Sequence, residues 1–304
     1  MVEGLIPGTM RKSLLTEQSY APSARLDQLP TGEILAIMNA ADAGIAEAVA
    51  VEIPRISAAV DAIAARLEQG GHLTYIGAGS SGRLGVLDAA ECPPTFNVPP
   101  DLVRGIMAGG EKALSRASEA SEDDPESGAR DLLASGFGPG DAVVGIAASG
   151  RTPYVLGAMA AAQKIGALTA GISCTPDSEL SRAVDFPMEP KPGPEILAGS
   201  TRLRAGTATK MVLNMISTGV MVRLGHVYGN LMVNVQPTND KLADRARRII
   251  EQAGEVTGDQ AAELLEESGR SVRAAIVMAK KKVSREQAEA LLRNAGGKLR
   301  VALI

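Results

Sequence analysis

Aromatic side chains are almost missing from this chain of 304 residues, which has no Trp, 4 Tyr and 3 Phe. Stacking platforms for bases or flat cofactors are correspondingly scarce. Cys92 and Cys174 are too few and too far apart for a disulfide framework or a zinc cluster. With His72 and His226 as the only histidines, a His-rich metal site is not expected. No apolar run approaches the roughly 18 residues of a membrane helix. The start, Met1-Val2-Glu3-Gly4, lacks the charged-then-apolar order of a signal peptide, so a cytoplasmic, unanchored chain is expected. A net charge of -4 argues against a general nucleic-acid binder. It hides an asymmetry, because from Lys241 onward 13 basic residues stand against 9 acidic ones. Such a tail is a solvated helical face or a weak attractor of anions.

What is abundant is small or apolar: 33 Gly and 45% hydrophobic residues, enough for one large core and a smaller second domain. Residues 1–30 carry Gly, Pro and Ser without an apolar period and read as an arm. Between Thr31 and Leu67 the helical spacing of Ile34, Ile37, Met38, Ile45, Val49, Ile53, Ile56 and Ile63 predicts two or three antiparallel helices. Pro54 there is a break or a first-turn residue.

A strand, loop and helix pattern then repeats. Strands are expected at Leu73 to Ile76, Leu102 to Met107, Ala142 to Ala147 and Leu168 to Ile172. Helices are expected at Leu84 to Ala90, ended by Pro93-Pro94; after Gly109-Gly110 through Glu119; at Tyr154 to Ile165; and at about Ala205 to Val222. This alternation predicts an α/β fold with a doubly wound parallel sheet over residues 31–240 and a small helical bundle over 241–304. Ligands of such sheets sit at the carboxyl ends of the strands.

Two loops stand at those ends. Gly77-Ala78-Gly79-Ser80-Ser81-Gly82 fits the glycine pattern of dinucleotide folds, but the acidic residue expected about 20 positions on is replaced by Ala108-Gly109-Gly110. A phosphate held by hydroxyls and helix N-terminal amides fits better. Ser81-Gly82-Arg83 recurs as Ser149-Gly150-Arg151, and Thr152 is placed to cap a helix with Pro153 at its first position. Read singly, each loop is equally a simple helix cap.

The stretch Ile76 to Gly85, then Asp88-Ala89-Ala90-Glu91-Cys92-Pro93-Pro94-Thr95, then Gly145 to Tyr154, resembles the N-acetylmuramic acid 6-phosphate etherases of the sugar isomerase (SIS) fold group. The likeness continues through Gly171-Ile172-Ser173-Cys174, Arg202 to Lys210, Gly229 to Val233, Ala274 to Met278 and Ala295-Gly296-Gly297. It implies cleavage of the D-lactyl ether of a phosphorylated amino sugar by elimination and hydration, during recovery of cell-wall sugars, by a homodimer whose sites are completed across the subunit boundary. It also implies two catalytic glutamates, Glu91 as the acid on the departing lactate oxygen and Glu122 as the base at C2. A three-residue slip would move the base to Glu119. Ser80, Ser81, Ser149, Arg151 and Thr152 would hold the substrate, and Lys210, with Arg202 and Arg204, would face its phosphate or lactyl carboxylate.

The chemistry explains why two carboxyls are wanted. An alkoxide leaves poorly and a proton beside a carbonyl is weakly acidic, so each step gains about 10²- to 10⁴-fold from a placed acid or base. Keeping one carboxyl protonated near neutral pH takes about 2.7 kcal/mol from burial or a neighbouring anion. Composition alone gives Glu122, among Glu119, Asp123 and Asp124 before Pro125, only a helix-dipole role. His226 is a candidate for ring opening or an ordinary hydrogen-bonded residue. Other readings are a non-catalytic sugar-phosphate sensor resembling the glucokinase regulatory protein, a sugar-phosphate isomerase, and a dinucleotide oxidoreductase.

Overall fold

The computed structural model describes residues 15–116 and 121–304. Three five-residue segments, Leu73–Gly77 (β1), Ala142–Ile146 (β3) and Leu168–Ile172 (β4), are buried throughout, as continuous apolar strands covered on both faces must be. Val103–Met107 (β2) and Phe186–Met188 (β5) are only partly buried. They form the two edges of an all-parallel sheet in the order β2-β1-β3-β4-β5. Pro187, lacking an N–H, is tolerated on such an edge. The short β5 escapes sequence reading because three residues with a central proline show no period.

Among the described residues three α-helices precede the sheet: Thr31–Asp42 (α1), Ile45–Ala50 (α2) and Ile53–Glu68 (α3), the last with Pro54 in its first turn. They are not antiparallel. The segment Thr31–Ala50 meets α3 at a bend of 58°, and among the described residues no single helix is long and apolar enough to cross a membrane.

Crossover helices cover the sheet. Gly79–Phe96 (α4) starts five residues earlier than its sequence suggests and runs through Pro93 and Pro94. A proline φ suits a helix, but each ring removes one bond to a carbonyl one turn back and crowds that carbonyl. The helix stops instead at Asn97, whose N–H returns to the Pro93 carbonyl at 2.8 Å and whose φ of 52° leaves the helical region. Lys112–Ser115 (α5) is one turn; Glu119 lies outside the described residues. Pro125–Ala134 (α6), Pro153–Lys164 (α7), the short Glu179–Arg182 (α8) and Arg204–Leu224 (α9) follow.

The chain divides into two compact units. The first takes the chain up to Ala90 and Asp101–Ser217; its core includes Ile76, Leu132, Val143, Val155, Met159 and Leu180. The second takes Glu91–Pro100 and Thr218–Ile304. It contains Asp240–Gly254 (α10), Gly258–Glu267 (α11), Val272–Lys281 (α12), Arg285–Asn294 (α13) and Leu299–Ala302 (α14). Ala246, Ile249, Ile250 and Ala253 form the buried stripe of α10, at the spacing of one helical face. Thr257 with Gln260 and Ser284 with Gln287 form capping boxes at the starts of α11 and α13.

Candidate active site

After β1 the chain crosses to β2 on one side and returns through β3 on the other, so the loops following β1 and β3 flank the point where strand order reverses. Gly77 pairs with Ile146 in register, which sets the two loops side by side. The first turns tightly. A Cβ on Gly82 would lie 2.7 Å from the Gly77 carbonyl oxygen and 2.8 Å from Met107 Cβ, and Gly79 takes a φ of 53°. This turn delivers Ser80 and Ser81, both half-buried, to the first turn of α4.

The second loop closes with the Gly150 N–H on the Ala147 carbonyl at 2.8 Å. Gly150 has a φ of 67°, and a Cβ there would meet Ser178 Cβ at 2.2 Å, so only glycine fits. Ser149 Oγ accepts weakly from the Arg151 N–H at 3.4 Å, and Arg151 Nε lies 3.7 Å from Glu179 at the surface. Thr152 occupies the cap position of α7 with Pro153 after it, but its hydroxyl makes no capping bond. That corrects the simple-cap expectation and leaves the hydroxyl for another task.

Glu122 joins the two loops. Its carbonyl accepts the Tyr154 N–H, one of the free first-turn donors of α7, at 3.1 Å. Its Oε1 lies 3.1 Å from where a Cβ of Gly79 would stand. Together with Ser149, Arg151, Thr152 and Asp123 it lines a cavity of about 320 Å³. The helix-cap role that composition suggests for the acids here falls to Asp124 instead. Its carboxylate accepts the Ser127 hydroxyl and the Ser127 N–H, the latter at 3.0 Å, which holds its pKa below the usual range. Glu17 also lines this cavity. It sits in the turn Leu15–Glu17, pinned by the Gly199 N–H on the Thr16 carbonyl at 2.9 Å. No local pattern marked Glu17, because its place depends on a contact some 180 residues away in the chain. Three carboxylates and one guanidinium therefore line this cavity, together with the hydroxyls of Ser149 and Thr152.

Other candidates lie elsewhere. Glu91 is exposed and falls among the residues of the second unit. Lys210 and Arg202 are exposed and line none of the described cavities. Arg204 is buried, donating to the Pro194 carbonyl at 2.8 Å and stacked over Tyr20. His226, in the second unit, accepts from Asn234 Nδ2 at 2.6 Å; burial and then the Arg273 charge lower its pKa. Burial pushes the Cys174 thiol up to about 12, which removes it as a nucleophile. Among the described residues no group of three or more His, Cys, Asp or Glu is placed to hold a metal. A larger cavity of about 900 Å³ beside β2, with Glu111, Asp131 and Tyr154 on its walls, contains none of the candidate residues.

Residues 55–163, which span both loops and Glu122, match the glucokinase regulatory protein N-terminal SIS domain. The chain is 52% identical to N-acetylmuramic acid 6-phosphate etherase of Rubrobacter xylanophilus, over 95% of this chain and 96% of that one. The etherases of Rhodopirellula baltica and Cutibacterium acnes are 49% and 50% identical, over 94% and 95% of this chain and 95% of each of theirs. The chain belongs to the N-acetylmuramic acid 6-phosphate etherase family. The family resemblance read from the loops thus extends along nearly the whole sequence. A solved phosphoheptose isomerase from Francisella tularensis superposes with a TM-score of 0.49 at 17% identity, over 63% of this chain and 97% of that one. For this etherase-family chain the strand order itself defines the fold.

Proposed function

We propose that this protein is a lyase that cleaves the D-lactyl ether at C3 of N-acetylmuramic acid 6-phosphate, giving D-lactate and N-acetylglucosamine 6-phosphate. The observation that carries the reading is Glu122, whose carboxylate borders the glycine loop while it lines the cavity of Ser149 and Thr152. The near-identical length and about 50% identity of the etherase relatives favour it over a sensor or an isomerase.

In this reading the phosphate rests on Ser149, Thr152, Ser80 and Ser81, with Arg151 at the rim and the N-terminal amides of α4 and α7 behind. The ring opens to the aldehyde, which acidifies the C2 proton. Glu122 removes that proton. The C3–O bond then breaks, the bond electrons leave with the lactate oxygen, and Glu91 protonates it. Water adds to the alkene, its oxygen at C3 and a proton at C2, and restores both carboxyls. Lys210, exposed and outside the lining of that cavity, would face the lactyl carboxylate or the phosphate.

The working form is a homodimer in the cytoplasm. Exposed apolar side chains on the first helices support a second copy: Leu35 is 58% exposed, and Val51 and Ile53 at the α2–α3 turn are 76% and 52% exposed. The exposed position of Glu91 suits a group offered to that copy.

Purified protein incubated with N-acetylmuramic acid 6-phosphate is expected to release D-lactate, and in ¹⁸O-water the label enters at C3 of the sugar. Glu122→Gln should abolish solvent deuterium entry at C2, with activity lowered about 10²- to 10⁴-fold, whereas Glu91→Gln should slow lactate loss more than that exchange. Phosphosugar binding without lactate overturns the catalytic reading. Full turnover in both variants overturns the roles.

A further inference from the structure

The helical unit contains a cavity of about 430 Å³ that the chemistry above leaves unused. Its walls are Asn97, residues 233–238 and residues 269–273. Three observations meet there. First, among the described residues two arginines and no carboxylate stand on the walls. Arg270 is answered from outside by Glu266 at 2.9 Å. Arg273 donates to the Gly297 carbonyl at 2.9 Å, and among the described residues no carboxylate pairs with it. Burial lowers its pKa, as for a cation short of both water and counter-charge.

Second, Asn234 is 6% exposed, and its amide N–H groups are spent on His226 Nδ1 at 2.6 Å and the Phe96 carbonyl at 3.0 Å. Those acceptors fix the orientation of the amide and leave Oδ1 buried without a hydrogen bond. Third, the ten-residue helix α12 starts at this wall. Its cap Ser271 accepts from the Ala274 N–H at 3.3 Å, and the N–H groups of Val272 and Arg273 have no partner within the helix. That end of the helix carries partial positive charge.

We propose that this cavity is a second ligand site, for a small oxyanion that also carries an O–H or N–H: a phosphate or a hydroxy-carboxylate. The anion supplies the counter-charge that Arg273 lacks and accepts from the free N–H groups of α12, while its hydroxyl donates to Asn234 Oδ1. The volume falls within the range of small-molecule sites, about 300–1,000 Å³. Nothing in this assignment depends on the loops after β1 and β3.

Hydrogen exchange read by mass spectrometry on the full chain tests it, with inorganic phosphate and D-lactate added separately. Protection of residues 233–238 and 269–273 is expected. Protection by phosphate alone assigns a phosphate group, and by lactate alone a hydroxy-carboxylate. Arg273→Gln is expected to weaken that protection at least tenfold in anion concentration, and Arg270→Gln, which leaves the Gly297 bond in place, provides the same test if the first variant misfolds. Protection by neither anion, or protection that survives both substitutions, overturns the proposal. Phosphate protection confined to residues 149–153 supports the proposed catalytic site and likewise overturns this one.

Discussion

Glu122 and Asp124 have the same chemistry and stand two positions apart, yet Asp124 is consumed by Ser127 as a helix cap while Glu122 lines the cavity. The difference comes from their partners, not their sequence neighbourhood. The same distinction applies to Thr152, which stands where a cap belongs and does not cap. Thr152→Val is therefore expected to leave the melting temperature unchanged while raising KM for the phosphosugar about 10- to 150-fold, the worth of a hydrogen bond to a charged group at about 1.5–3 kcal/mol. Steady-state kinetics and thermal melting decide this. A lower melting temperature with KM unchanged would restore the capping role.

Helices α6 and α7 cross where two glycines remove their side chains. A Cβ on Gly128 would lie 1.8 Å from the Tyr154 carbonyl oxygen, and one on Gly157 would lie 2.0 Å from that of Pro125. This crossing holds the segment before α6 against the start of α7, where the Tyr154 N–H binds the Glu122 carbonyl. Backbone on both sides leaves no room to yield, so Gly157→Ala should cost about 1–3 kcal/mol of stability, as overpacking does. It should also lower kcat by moving Glu122. Gly140→Ala, which meets nothing within 4 Å, is the control and should change neither. Thermal melts and kcat of the two variants test the crossing, and equal behaviour would refute it. The strands β1, β3 and β4 were legible because a buried parallel strand is a short apolar run between glycines. The start of α4 was not, because a glycine-serine run reads as loop until the sheet presents it to a helix axis.

For the molecule as a whole, two measurements bear on assembly and on pH. If the apolar residues of the first helices face a second copy, Leu35→Glu should shift sedimentation from dimer to monomer; a monomeric parent protein would exclude the homodimer. His226 makes one contribution to the pH dependence. Its Nδ1 must be unprotonated to accept from Asn234, and its pKa in the fold lies below the ordinary 6.5. The unfolded chain therefore binds the extra proton first as the pH falls. Stability is complete above about 6.5 and declines below it, until the folded pKa is passed. Urea melts of the protein and of His226→Gln between pH 5 and 7.5 should differ by this slope, the parent losing more stability than the variant as the pH falls below about 6.5.

By itself the sequence determined the α/β alternation, the four longer strands, the two serine loops and the etherase-family likeness, because each is written in apolar runs, glycines and contiguous motifs. Even the lack of aromatics was informative, since a site built from small residues brings backbone amides and hydroxyls close to an anion. Only the tertiary structure decided that Glu122 lines the cavity while Asp124 caps a helix, and that Glu17 joins Glu122 there. It also set residues 91–100 with the chain from Thr218 onward and left Arg273, among the described residues, without a paired carboxylate beside a cavity. These are properties of contacts between residues far apart in the chain. A carboxylate or guanidinium takes its role from the donors, acceptors and charges that folding brings to it, and local sequence does not specify those partners.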